Sequence, residues 1–208
     1  NRTPPKTQAA MLEAMQERSV TIDGETHALG SRFMVVATQN PIEQQGVYPL
    51  PEAQLDRFLF KLLVEYPDAE EEKRIVTQYG ERVGAPVPKD FGIETQADAA
   101  LLNAATEKVK SVKLVEDVVD YVVRLIRATR ETADLENGAS PRAAIMLANA
   151  ARARAAISGR DYVIPDDVKA LAPSVLRHRT MLSPAAEIEG RQVDSIISGL
   201  VERTEAPR

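Results

Sequence analysis

Three polar residues stand where their neighbours suit them for chemistry: Asn40, Arg57 and Arg142. Asn40 ends a short apolar run, Phe33–Ala37, which breaks into Thr38-Gln39-Asn40 and stops at Pro41. A buried strand ending in an amide holds a fixed donor and acceptor at the rim of a sheet, where ligands of open α/β sheets sit. There it can orient a water against a phosphate. The plainer reading is an Asn that caps the turn before proline, and the residues alone favour it. Arg57 ends a short helix, Glu52–Arg57, directly before a second apolar run, Phe58–Val64. It can pair with Asp56, Glu52 or another carboxylate. It can also reach a phosphate on a neighbouring subunit, a role worth ~10³–10⁵ in phosphoryl transfer. Local context alone favours the salt bridge. Arg142 lies in Gly138-Ala-Ser140-Pro141-Arg142, which reads as loop, N-cap and first helical turn. A cation there opposes the helix dipole unless an anion binds nearby, and the free N–H groups favour that anion too. A solvated Arg pointing sideways is an equal alternative.

The elements that must position these residues are an α/β layer and a helical part. Both apolar runs are nearly continuous, as in a parallel sheet covered on both faces, and predict two buried strands. Two are too few for such a sheet. Between them lies a polar loop with Gly46, Pro49 and Pro51. Upstream, a helix from Thr3-Pro4-Pro5 to Glu17 is expected, with Thr3 as cap. Ser19–Ile22, Asp23-Gly24 and Glu25–Leu29 predict a β-hairpin, which reads as an insertion on a core fold or, as the residues alone favour, a surface hairpin of no special use. Tyr66-Pro67-Asp68 marks the boundary. Beyond it the pattern predicts helices over Asp68–Tyr79, Thr95–Val109, Val115–Thr132, Ser140–Ser158 and Pro165–His178, and one or two over Pro184–Glu202. Gly80–Gly92 and Leu135–Ala139 read as loops, with a break at Lys110–Lys113. The expected architecture is α/β over residues 1–66, followed by an all-α bundle over 67–208.

Composition narrows the function classes. With 208 residues, 44% hydrophobic, the chain can bury a core and hold two modest domains. It has no cysteine and only two separated histidines, His27 and His178, which argues against disulfides and a zinc site. A net charge of −5 without a basic stripe argues against a nucleic-acid motor. No apolar run approaches spanning length, and NRTPPKTQ lacks the apolar centre of a signal peptide, so a cytoplasmic protein is expected. No G-x-x-x-x-G-K-[ST] phosphate loop occurs, nor an apolar run ending in Asp-Glu.

These segments together resemble the MoxR family of AAA+ ATPases. NRTPPKTQAAMLEAMQE is similar to the stretch after that family's Walker B motif, with Asn1 two residues beyond its glutamate. RSVTIDGETHAL resembles its inserted hairpin, and VVATQNPIEQQGVYPLPEAQLDRF its sensor 1 region. YPDAEEEKRIV resembles the opening of the lid, GASPRAA the sensor 2 helix, and YVIPDDVKALAPSVLRHR a later lid helix. The resemblance implies a fold: the C-terminal part of a P-loop AAA+ core with an inserted hairpin, plus a helical lid.

The resemblance also implies roles. Asn40 becomes sensor 1, orienting the attacking water and the γ-phosphate. Arg57 becomes an arginine finger acting on the next subunit, and Arg142 becomes sensor 2. Residues around Asp23-Gly24 would face a pore or client, and Gln44, Gln45 and Tyr48 would be interface residues. The intact protein is expected to bind ATP and Mg2+ between subunits of a homo-oligomeric ring, a hexamer. It would remodel client proteins or insert metal cofactors, alongside a von Willebrand factor A domain protein. The 208-residue chain alone, lacking both Walker motifs, is expected not to hydrolyse ATP. The alternative is a non-catalytic module that docks on full-length subunits. Residues 1–66 alone are expected to aggregate, and 67–208 to fold independently.

Overall fold

The computed structural model describes residues 4–30, 32–40, 50–80, 87, 91–93 and 97–207. Helix α1 (Pro5–Glu17) ends where Arg18 turns into the left-handed region at φ 51°. Thr3, its expected cap, lies outside the described residues. Strands β1 (Ser19–Ile22) and β2 (Glu25–Ala28) pair antiparallel, with Val20 opposite His27 and Thr21 opposite Thr26. Asp23 and Gly24 turn the hairpin at φ 51° and 86°. Two positive φ values match the right-handed twist of the strands, the reason Asp-Gly is favoured there.

The two expected buried strands do not form. Phe33–Ala37 and Phe58–Val64 carry no strand pairing, and their side chains are largely open, with Met34 at 78% and Val64 at 95% exposure. A parallel strand exists only through its neighbours' N–H and C=O groups. Among the described residues the sheets are two antiparallel pairs, and neither includes these runs. Helix α2 (Glu52–Leu55) is also shorter than expected: Asp56 is its C-cap and Arg57 falls in the following turn.

The helical part holds the core. Helix α3 (Ala69–Tyr79) starts at Asp68, whose Oδ1 accepts from Glu71 N–H at 2.8 Å. Helix α4 (Ala99–Ser111) starts the same way at Asp98, later than the sequence pattern suggested, and runs through the expected break at Lys110. Helix α5 (Glu116–Glu131) buries Val118, Tyr121, Val122, Leu125, Ile126 and Thr129, a stripe at spacings of three and four. Residues 135–139 are not all loop: β3 (Leu135–Asn137) pairs with β4 (Met181–Leu182). This part is therefore not wholly helical. Helix α6 (Pro141–Ile157) turns Ala143, Leu147, Ala151 and Ala155 inward, and these small residues let α7 (Pro165–Leu176) pack closely. Helices α8 (Pro184–Ile188) and α9 (Val193–Arg203) complete it. One apolar cluster joins Val112 through Val201. Upstream of it, the buried hydrophobic residues among those described are Leu12 and Ala14.

Two polar joints set the ends of α6 and α7. Gly138 crosses α5 so closely that a Cβ would lie 2.6 Å from Thr129 O and Arg130 Cγ. Ala139 N–H donates to Thr129 Oγ1 at 2.9 Å, and Arg130 Nε donates to Ala139 O at 2.8 Å. At the other joint, the carboxylate of Asp167, 2% exposed, takes both arms of Arg160 at 2.6 and 2.7 Å and the N–H of Ile164 at 3.0 Å. Burial alone would raise the Asp167 pKa, but these donors and Arg154 outweigh it and hold the carboxyl below its usual range. No helix among the described residues is long and apolar enough to cross a membrane.

Candidate functional site

Asp56 is the hub that joins the two parts of the chain. The C-cap position of α2 leaves its carboxylate facing the N-terminus of α6 and the end of α7. Ser140 Oγ donates to both carboxylate oxygens at 3.2 Å. Ser140 is the N-cap of α6, yet it makes no cap hydrogen bond with its own helix. Arg142 Nη1 lies 3.9 Å from Asp56 Oδ2. Arg179 Nε donates to Asp56 Oδ1 at 2.9 Å.

The two arginines differ in kind. The Arg179 side chain is 1% exposed, against 48% for Arg142. The five N–H groups of Arg179 face five oxygens, with His178 Nε2 and Met146 Sδ also 2.8 Å from Nη1 and Nη2. Beyond Asp56 Oδ1, Nη1 reaches Leu59 O at 3.2 Å and Val175 O, while Nη2 reaches Asp56 O at 2.9 Å and Phe58 O. Burial lowers the Arg179 pKa, and Asp56 opposes that shift. Removing one partner of a buried pair like this costs about 3–5 kcal/mol. The Arg142 contact is long and half in water, worth about 0–1 kcal/mol. Another anion can therefore displace Asp56 from Arg142 far more easily than from Arg179.

Residues 56–61 are stitched to the end of α7 by further bonds. Lys61 N–H donates to Ser174 O at 2.9 Å, and Arg177 Nη1 donates to Lys61 O at 3.0 Å. His178 Nε2 lies 2.9 Å from Phe58 O. The same Nε2 lies 2.8 Å from Arg179 Nη1, so it faces both a carbonyl acceptor and a guanidinium donor. Nδ1 is buried without a partner. Burial, with Arg179 adding to it, pushes the His178 pKa down to about 4.

Of the three residues singled out from sequence, the bonds around Asp56 include Arg142. Arg142 does sit in the first turn of its helix, and the anion beside it is the carboxylate of Asp56. Arg57 follows Asp56 directly, but neither Asp56 nor Glu52 takes its side chain: its Nε is buried without a hydrogen-bond partner. Asn40 lies in the exposed extended segment 33–40, and the bonds around Asp56 do not include it. Gln44, Gln45 and Tyr48 lie outside the described residues. Asp56, Ser140 and Arg179 were not foreseen as site residues. The signal for Arg179 was available: Arg177-His178-Arg179 puts three basic side chains at the carbonyl end of an apolar helix, where cations are favoured.

Comparison with known proteins fits this arrangement. Residues 1–60 match the model of the ATPase family associated with various cellular activities (AAA), and residues 127–200 match the AAA lid domain. The uncharacterized protein YeaC of Bacillus subtilis is 44% identical over the whole chain, which covers 63% of that relative. The chaperone MoxR1 of Mycobacterium tuberculosis is also 44% identical over the whole chain, covering 56% of it. A crystal structure of a presumed ATPase from Cytophaga hutchinsonii superimposes on the whole chain with a TM-score of 0.88 at 35% identity, over 64% of its length. The chain thus spans less than two thirds of the length of each. The family models and the shared fold define the class, an AAA+ ATPase core running into its lid. Within that class the chain belongs to the MoxR family.

The residues present fit one side of a nucleotide site. Arg142, half exposed in the first turn of a helix and weakly held by a carboxylate, is suited to a phosphate. Arg57, with an orphaned Nε, is suited to a second anion. Among the described residues no group of three or more His, Cys, Asp or Glu side chains could hold a metal ion.

Proposed function

We propose that this chain is the sensor- and lid-bearing part of a MoxR-type ATPase that assembles as a ring, expected to be a hexamer, and remodels client proteins. The domains divide at 66/67. ATP, when bound between subunits, supplies the phosphoanhydride whose cleavage drives the cycle. Asn40 orients the attacking water. Arg57 neutralises charge on the phosphates held by the next subunit. Arg142 exchanges Asp56 for phosphate and so reports occupancy to the lid. The clients would be proteins awaiting assembly or metal-cofactor insertion, with a von Willebrand factor A domain protein as helper, in the cytoplasm. The observation that carries the reading is the pairing of Arg142 with Asp56 directly beside an Arg57 whose Nε has no partner.

The test is steady-state turnover of full-length protein and of the 208-residue chain. The chain alone is expected to show none. In the full-length protein Arg57→Ala should lower kcat by about 10³-fold, the scale of a lost arginine finger, and Arg142→Ala should weaken nucleotide response. Turnover by the isolated chain that disappears in Arg142→Ala would overturn the proposal. One observation favours a second reading, a non-catalytic module that docks on full-length subunits: the apolar side chains of 33–36 and 62–64 are open to solvent. Failure of the chain to co-migrate with full-length protein in gel filtration would remove it.

A further inference from the structure

Arg179 binds the polypeptide on both sides of Arg57. One arm takes the carbonyl of Asp56, just before it, and that of Phe58, just after it. The other arm takes Leu59 O, and Nε holds the Asp56 side chain. Three backbone carbonyls from four residues thus converge on one guanidinium. Carbonyl oxygens repel one another, so this turn keeps its shape only while the cation sits among them. The fourth residue, Arg57, keeps its Nε out of any hydrogen bond. The backbone on either side of it is held, while its buried Nε has no partner.

The same guanidinium is anchored in the lid. Val175 O, from the last turn of α7, accepts from Nη1, and Arg179 N–H donates to Leu176 O at 2.8 Å. The Arg177–Lys61 and Lys61–Ser174 bonds extend the seam. Residues 56–61 are therefore bonded to the end of α7.

We propose that Arg179 is a positioning residue for Arg57: it fixes the turn that presents Arg57 and couples that turn to the lid, so that lid orientation sets where the finger points. This rests on the reading of Arg57 as a residue acting on the next subunit's nucleotide. A lid that rotates when Arg142 trades Asp56 for phosphate would carry Arg57 with it, linking occupancy of one site to catalysis at the next. A lysine cannot substitute. It brings one point charge and three donors where five oxygens sit in the plane of a fork.

The experiment is a double-mutant cycle in the full-length, assembled ATPase. Arg57→Ala, Arg179→Lys and the double variant are compared for kcat, for affinity toward a fluorescent ADP analogue, and for ring assembly by sedimentation. The expected result is a fall in kcat of tenfold or more in Arg179→Lys, with nucleotide affinity within twofold of wild type. The double variant should be no slower than Arg57→Ala alone, because Arg179 acts through Arg57. Losses that multiply in the double variant would show that Arg179 works elsewhere and overturn the proposal. So would wild-type kcat in Arg179→Lys when Arg57→Ala is impaired. Unchanged turnover in Arg57→Ala would instead sink the reading of Arg57, and the inference with it. If Arg179→Lys does not assemble, Asp56→Asn takes its place in the cycle. It keeps the backbone carbonyl and a side-chain acceptor while removing the charge; because it also releases Arg142, only the kcat comparison with Arg57→Ala decides.

Discussion

A carboxylate shared between a buried and an exposed arginine does two jobs at different strengths. Asp56 cannot leave Arg179 without stranding a charge that water does not reach, while Arg142 can leave Asp56 for little. Neighbouring His178 adds a pH dependence whose sign follows from its burial. Its pKa is about 4 in the folded protein and ordinarily 6.5. Between those values the unfolded chain takes up a proton that the folded protein refuses. Stability should therefore fall as pH drops from about 6.5 toward 4, by about 3 kcal/mol at most, and level off below. Urea denaturation of the chain and of His178→Asn at several pH values checks this. The variant keeps a donor for Phe58 O and should lose the pH-dependent part. Parallel slopes in both proteins would place the proton uptake elsewhere.

Elements explain why a glycine precedes α6. The chain leaves β3 and must cross α5 before α6 can start, and at Gly138 there is no room for a Cβ against Thr129 O. Gly138→Ala should push the loop outward, carrying Ser140 away from Asp56, and cost about 1–3 kcal/mol as overpacking does. Calorimetric melting gives the stability loss. Faster hydrogen exchange at Lys61 N–H would report the loosened seam, and unchanged melting would mean that α5 gives way instead. This joint also shows what a sequence can reveal. The Ser-Pro start of α6, the Asp-Gly hairpin and the stripe on α5 follow from local rules, because caps, turns and one-sided burial are set within a few residues. The β3–β4 pair was not legible, since Leu135 meets Leu182 only through tertiary packing. The apolar runs at 33–37 and 58–64 misled for the converse reason. Their composition suits a covered strand, but a strand needs a neighbour that these residues do not provide. The site was half legible: Arg142 stood out because its charge opposes its own helix, whereas Arg179 is 123 residues from Asp56 and meets it only in the fold.

Taken whole, the molecule keeps its hydrophobic core almost entirely on one side of the proposed boundary at 66/67. The apolar cluster runs from Val112 to Val201, closed by the β3–β4 pair and by the Arg160–Asp167 joint, none of which uses a residue before 67. The bonds across the boundary are polar: those of Ser140, Arg142, Ser174, Arg177, His178 and Arg179 to residues 56–61, and those of Arg32 Nη2 to Ala99 O and Asn103 Oδ1. Cutting there removes the partners of Arg179 but also opens it to water, so no charge is stranded in an apolar interior. Residues 67–208 expressed alone should therefore melt cooperatively. Residues 1–66, whose buried hydrophobic residues among those described are Leu12 and Ala14, should aggregate. A second readout comes from His178, the only histidine in 67–208. Freed of the Phe58 contact and hydrated, its NMR titration should move up from about 4 toward the ordinary 6.5. A cooperative melt with the titration still near 4 would mean that the helical part itself buries His178. No cooperative melt would mean that the polar seam, and not the cluster beneath it, holds the lid together.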